Sequence, residues 1–182
     1  MLFYKELKAL VDAGVIEGVE ENNINGASID VTLGDVFWVE DQTESPSKVL
    51  PVVDLARKEV PRMIKHTGPI IIPPGGFVLA QTREVFHLPN NVSFHYMLKS
   101  SQARAGLEHL FAGFADPTWH GSVLTLEFVN SLQHHSLKLT PGMKAGQIVM
   151  FKGSSPVPEH KSYAVKGQYN KDTSAQPSRG VR

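Results

Sequence analysis

Cysteine is absent from this chain of 182 residues. Disulfides and thiolate zinc sites are thereby excluded, and a cytoplasmic protein is expected. An excess of charge of one sign is missing too. The 18 Lys and Arg residues balance 18 Asp and Glu, for a formal net charge of zero. Proteins that grip nucleic acid along its phosphates carry a basic excess, so no nucleic-acid partner is expected. No run of about eighteen apolar residues occurs, which argues against a helical membrane span. The opening MLFYKELKALVDAG has acidic residues and no long apolar core, so it does not read as a secretory signal. Walker-type and G-x-G-x-x-G glycine loops are absent as well. The eight histidines show no metal spacing, and His134 and His135 are adjacent. Zinc nucleobase deaminases need a P-C-x-x-C segment, which a chain without cysteine cannot supply. No zinc is expected.

What is present is a succession of short apolar segments punctuated by turns. Leu2, Phe3, Leu7, Leu10 and Val11 have helical spacing, and Gly14 stands where the helix would end. Ile29, Val31 and Leu33 alternate with polar residues as in a half-buried strand. Phe37 to Val39 suggests another. Residues 41–68 are polar and weakly patterned, and read as a surface excursion around Val49 to Leu55. Strands are then predicted at Pro69 to Ile72, Phe77 to Thr82, Val85 to Leu88, Val92 to Leu98, Val123 to Asn130, Leu137 to Leu139 and Gln147 to Lys152, with one mid-chain helix at about 100–107. Many short strands between Gly and Pro turns mean a mainly β sandwich or closed barrel. From residue 154 onward periodicity is lost, which predicts a tail that is mobile until something holds it.

Three places could carry chemistry. Ser100 and Ser101 follow a strand and open a helical segment, where unsatisfied backbone N–H groups favour anions. Lys99 and Arg104 add charge there, and arginine can hold phosphate oxygens in pairs. The bland alternative is that Ser100 caps the helix and Arg104 is solvated. Glu127 lies within Val123-Leu124-Thr125-Leu126-Glu127-Phe128-Val129. Alternation puts Thr125 and Glu127 on one face and Leu124, Leu126 and Phe128 on the other. Desolvation there would raise the carboxyl's pKa, which suits a proton shuttle, whereas on a wet edge it would be inert. Asp116, before Pro117, could accept a sugar hydroxyl or simply start a turn.

Taken in order, these segments resemble the dCTP deaminases. Lys99-Ser100-Ser101-Gln102-Ala103-Arg104-Ala105-Gly106-Leu107 looks like their [RK]SSxARxGL segment. Residues Ala112 to Gly121, AGFADPTWHG, resemble AGxxDPGFxG. Leu124 to Asn130 resembles TLELxN, Pro141 to Gln147 resembles PGMxIGQ, and Ile24 to Gly34 is similar to INGAxxDxxLG. Five motifs in register cover nearly the whole chain. The family is grouped with the trimeric dUTPases. The resemblance therefore implies a single domain over 1–182 with a distorted β-barrel or jelly-roll fold, one short N-terminal helix and one mid-chain helix. It also implies a homotrimer with shared active sites, and a tail, 154–182, that closes over the site.

The implied activity is hydrolytic deamination of dCTP to dUTP and ammonia, with Mg²⁺ carried by the triphosphate and no metal on the hydrolytic water. Glu127 matches the catalytic glutamate; Ser100 and the backbone of Ala112 match the groups that hold the water. Lys99, Ser101 and Arg104, within the segment that includes Gln102 and Ala103, match triphosphate and active-site contacts. Asp116 matches the acceptor of the 3′-hydroxyl, and the backbone of Thr125 and Leu126 would read the cytosine. In the tail, Tyr163 matches a tyrosine, and Gln168 and Asp172 stand where a lysine and a glutamine are usual. Thr118 replaces a usual glycine. Phe111 replaces a common threonine, so a 5-substituted cytosine is a possible substrate. Ala112-Gly113-Phe114 is closer to the subgroup that continues to dUMP and pyrophosphate. A dUTPase lacking deaminase activity fits less well, because its P-R-S-G segment and glycine-rich arm are missing. A non-catalytic dNTP-binding regulator is the alternative from another class. Feedback inhibition by dTTP is implied by the resemblance alone.

Overall fold

The structure is a computed structural model, and it describes residues 1–41 and 52–180. Part of the expected excursion, Val49 to Pro51 included, lies outside the described residues. The first helix, α1 (Tyr4–Asp12), buries Leu7, while Leu10 and Val11 pack on the core. Glu6 caps it by accepting the Phe3 N–H at 3.1 Å. Gly14, with φ +72°, takes the left-handed turn that ends it.

Two antiparallel sheets carry the fold. In the first, β4 (Met63–Thr67), β3 (Val36–Glu40), β6 (Phe77–His87), β10 (His120–Asn130) and β8 (Leu107–His109) lie side by side, and β1 (Ile16–Glu17) also pairs with β6. In the second the order is β2 (Ile29–Thr32), β12 (Lys144–Lys152), β7 (Val92–Met97) and β9 (Phe114–Ala115). A small ribbon joins β5 (Ile70–Ile72) to β11 (Leu137–Leu139). Both main sheets feed one apolar core. Phe37, Val78, Leu126 and Phe128 come from the first; Ile29, Phe94, Ile148 and Met150 come from the second, and all are essentially inaccessible. Phe86 of β6 meets Phe94 of β7 with ring centroids 4.8 Å apart. This is the jelly-roll type of arrangement expected: two β layers closed over one core.

One buried polar link ties the layers. Glu84 of β6 has no accessible surface. Its carboxylate accepts the Thr32 N–H at 3.0 Å and the Thr32 hydroxyl at 2.7 Å. Burial pushes the Glu84 carboxyl above its usual range, although these bonds pull the other way.

Several expectations need correction. The two strands predicted at 77–82 and 85–88 are one, β6. The excursion contains β4, whose Ile64 to Thr67 are all exposed, so no alternation marked it. The mid-chain helix α2 spans only Ser100–Arg104. Gly106 ends that region at φ +89°, with the Leu132 side chain packed where a Cβ would sit. Apart from these corrections, the tail includes a short α3 (Tyr163–Lys166) and lies against the first sheet.

Candidate active site

β10 supplies the centre of the site. Leu124, Leu126 and Phe128 point into the core, while Thr125 and Glu127 are partly accessible on the other face. That face borders a cleft of about 480 Å³. Glu127 and Thr125 line it together with Ala112, Asp116 and tail residues Tyr163, Tyr169 and Asp172. Asp116 reaches it from a turn closed by the Trp119 N–H on the Asp116 carbonyl, 3.2 Å. Thr118 in that turn adopts φ +72°, the left-handed conformation that favours glycine. This accounts physically for the glycine usual at that position. The Thr118 hydroxyl also accepts the Ala164 N–H of α3 at 3.0 Å, tying turn to tail.

The outer edge of β10 is interrupted at one residue. The Glu127 carbonyl accepts the Leu110 N–H at 3.2 Å, and β8 pairs with residues 128–130 beyond it. Two residues further back than Thr125, the Val123 N–H donates to the tail carbonyl of Asp172 at 3.0 Å. Alternation in an antiparallel ladder puts the N–H and C=O of Thr125 on this same edge, between those two bonds. Thr125 therefore offers one donor and one acceptor side by side, facing no strand. The backbone of Leu126 faces β6 instead, opposite Ala80.

His109 was not anticipated. Its Nε2 lies 3.3 Å from Glu127 Oε2. The histidine is buried, its ring centroid is 4.5 Å from that of Tyr96, and neither atom of the pair has a partner with hydrogen-bond geometry. In the sequence the histidines stand out only as possible metal ligands, and β8 is too short to show a pattern that places this one. Among the described residues no group of three or more His, Asp or Glu is placed to hold a metal.

The remaining predicted residues lie elsewhere. Lys99, Ser100, Ser101, Gln102, Ala103 and Arg104 do not line the cleft. Lys99 occupies the cap position of α2, so Ser100 is not the cap. Ser100, Ser101 and Arg104 are exposed. Lys99 is held by Asp30 at 2.7 Å. A second hollow of about 310 Å³ is lined by Ala103, His109 and Phe111 among others. Phe111 is 82% exposed and has φ +56°. Gln168 is outside the cleft, and its carbonyl accepts from the Arg179 guanidinium.

The tail forms a strap whose residues line part of the cleft. The Trp119 indole N–H donates to the Tyr169 carbonyl at 2.6 Å, and that of Trp38 to the Ala175 carbonyl at 2.8 Å. Gln81 accepts the Ala175 N–H at 2.9 Å. Arg179 folds back onto Asp172 at 2.7 Å and lies 5.0 Å from the centre of the Tyr169 ring. Of the strap residues expected from the sequence, Tyr163 and Asp172 thus meet Glu127's cleft.

The architecture has a solved counterpart. The 2'-deoxycytidine 5'-triphosphate deaminase from Agrobacterium tumefaciens superposes with a TM-score of 0.63 at 17% identity, covering 84% of this chain and 48% of that chain. This shows that the chain shares the mainly β fold of that protein. A family model described as dCTP deaminase-like matches residues 1–153. A protein from Streptomyces avermitilis is 41% identical over 161 residues, covering 86% of this chain and 82% of its own. One from Nocardioides sp. is 36% identical over 189 residues, covering 100% and 96%. Both carry the name "dCTP deaminase, dUMP-forming". The chain belongs to the dCTP deaminase-like family.

Proposed function

We propose that this protein deaminates dCTP and carries the product on to dUMP and pyrophosphate. One water adds to C4 of cytosine and ammonia leaves; a second cleaves the triphosphate. The sequence resemblance by itself implies release of dUTP. The name shared by the relatives favours the continued reaction, and Ala112-Gly113-Phe114 agrees with that.

The observation that carries the reading is the edge gap at Thr125 beside the Glu127 carboxylate. A donor and an acceptor on a rigid strand match the Watson–Crick edge of a pyrimidine, and a missing partner would leave a buried polar group unpaired. Glu127 then stands within the same cleft to take a proton from water, give it to N3 and pass protons to the departing ammonia. His109, against its Oε2, is placed to orient it.

The charge of the cleft supports shared sites in a homotrimer. Its lining includes Asp116, Glu127 and Asp172 but no Lys, Arg or His. A triphosphate, entering with Mg²⁺ as part of the substrate, would not bind three carboxylates unaided. The cations expected for it, Lys99 and Arg104, stand on α2 outside this cleft, where they can serve a neighbouring copy. The strap of residues 154–180 would close the site behind the nucleotide.

The test is a time course of dCTP with purified protein and Mg²⁺, resolved by liquid chromatography. dUMP and pyrophosphate without dUTP build-up is the expected result. Accumulating dUTP would restrict the activity to deamination, and an unchanged dCTP peak would overturn the reading.

A further inference from the structure

A second charged cluster lies away from the cleft, where α2 meets β2 and β12. Asp30 of β2 is 1% exposed. One carboxylate oxygen accepts Lys99 Nζ at 2.7 Å and Asn25 Nδ2 at 2.9 Å. The other accepts Lys144 Nζ at 2.6 Å. Burial alone would raise the Asp30 carboxyl, but the bonds from Lys144, Lys99 and Asn25 outweigh it and hold it below its usual range. Asp30 is therefore an anion in place between two ammonium groups. Lys144 keeps half of its side chain exposed and Lys99 about a third. Gln102 of α2 donates its side-chain amide to the Lys144 carbonyl, so the start of β12 and the helix are tied together. Arg104 is exposed on the same helix and makes no ion pair among the described residues.

The charge count is informative. A pair made only for stability would end at one carboxylate and one ammonium. Here one buried carboxylate holds two ammonium groups, leaving a fixed excess of positive charge, to which Arg104 adds. Each ammonium has three N–H donors and spends one on Asp30. The rest remain for an external acceptor. Two lysines locked by one buried anion lose little side-chain freedom on binding, which removes a cost that flexible surface lysines incur.

We propose that Lys144 is a further triphosphate-binding residue, working beside Lys99, and that Asp30 is the positioning residue for both. The proposal rests on the dCTP reading for the identity of its ligand, a polyphosphate chain. It assigns a role to the lysine inside Pro141-Gly142-Met143-Lys144-Ala145-Gly146-Gln147 that the motif alone did not suggest.

The experiment titrates the full-length protein with inorganic tripolyphosphate and Mg²⁺ in a calorimeter and measures KM and kcat on dCTP. Lys144→Met is expected to weaken tripolyphosphate binding and raise KM by roughly ten-fold or more, the effect of one lost charge-assisted contact. Its kcat should change by less than about three-fold on the same argument, and Lys144→Arg should recover most of the affinity. Asp30→Asn should weaken tripolyphosphate as well; if it fails to fold, the half-exposed Lys144 decides the matter by itself. A folded Lys144→Met protein with both values within about two-fold of wild type overturns the proposal and leaves Lys144 as a strut. Failure of wild type to bind tripolyphosphate overturns it also. If wild type leaves dCTP untouched while Lys144→Met still weakens tripolyphosphate, the clamp stands and the dCTP reading falls.

Discussion

Arg104 does not line the cleft that Glu127 faces on the same protomer, and under the shared-site proposal this has a numerical consequence for mixed assemblies. Glu127→Gln removes the proton carrier but leaves α2 intact. Arg104→Ala removes a phosphate contact but leaves the cleft intact. Each parent trimer is expected to be nearly inactive on dCTP at low substrate. In a cyclic trimer holding both kinds of subunit, whichever is in excess, one junction joins an intact cleft to an intact α2 in the productive sense. About one site in three should therefore recover full activity, since cyclic symmetry makes the three junctions equivalent and directional. The two variants would be co-expressed with different affinity tags, and trimers carrying both purified through two columns. The assay is dCTP turnover per subunit, expected near a third of wild type under this junction count. Mixed trimers as inactive as their parents would refute the shared-site argument, because they would put Arg104 and Glu127 to work within one subunit.

Three further outcomes follow from named contacts. Glu127→Gln should lower kcat by roughly 10²- to 10⁴-fold, the range of a lost general acid–base group. Its melting temperature should barely move, because glutamine keeps the shape and the 3.3 Å approach of His109 to Glu127 Oε2 lacks hydrogen-bond geometry; retained turnover would remove Glu127 from the chemistry. Thr118→Gly relieves about 1–2 kcal/mol of left-handed strain. Glycine's extra unfolded-state entropy returns about 0.5–1 kcal/mol of that. The lost bond to the Ala164 N–H is in an exposed place that water can fill. Global stability should thus stay within about 1 kcal/mol of wild type, while protease cuts the tail faster; an unchanged cutting rate would show that Thr118 does not tether it. Glu84 predicts a pH effect. Between the ordinary carboxylate range and its raised value, the folded protein holds a proton that the unfolded chain has released. Stability therefore falls as pH rises across that window, and Glu84→Gln should flatten melting temperature against pH above the ordinary carboxylate range. Parallel curves for the two proteins would mean that another group titrates.

The centre of the site was legible in the sequence because β10 obeys one simple rule. Leu124, Leu126 and Phe128 alternate with Thr125 and Glu127, and the strand buries one face and opens the other as that period requires. Glu127 and Asp116, read from separate motifs, do share a cleft. β4 escaped because it is an edge strand with both faces largely wet. β8 and β9 span only three and two residues, too short for any period. The tail escaped for a different reason. It is held mainly through backbone carbonyls and N–H groups, which every residue possesses, so no side-chain pattern announces it. Motif order also brought α2 and β10 together on paper. Within one protomer, α2 does not line the cleft that Glu127 faces.

The strap's two indole bonds give the molecule an optical property. The chain contains two tryptophans, and both of them, Trp38 and Trp119, donate to strap carbonyls. Its indole fluorescence, excited where tyrosine does not absorb, thus arises wholly from residues that touch this segment. Lifting the strap would change the surroundings of every emitter at once, with no constant background from indoles elsewhere. Whether the strap lifts during turnover can be tested by stopped-flow emission in the unlabelled protein, and Trp38→Phe or Trp119→Phe would leave a single reporter at one end of the strap.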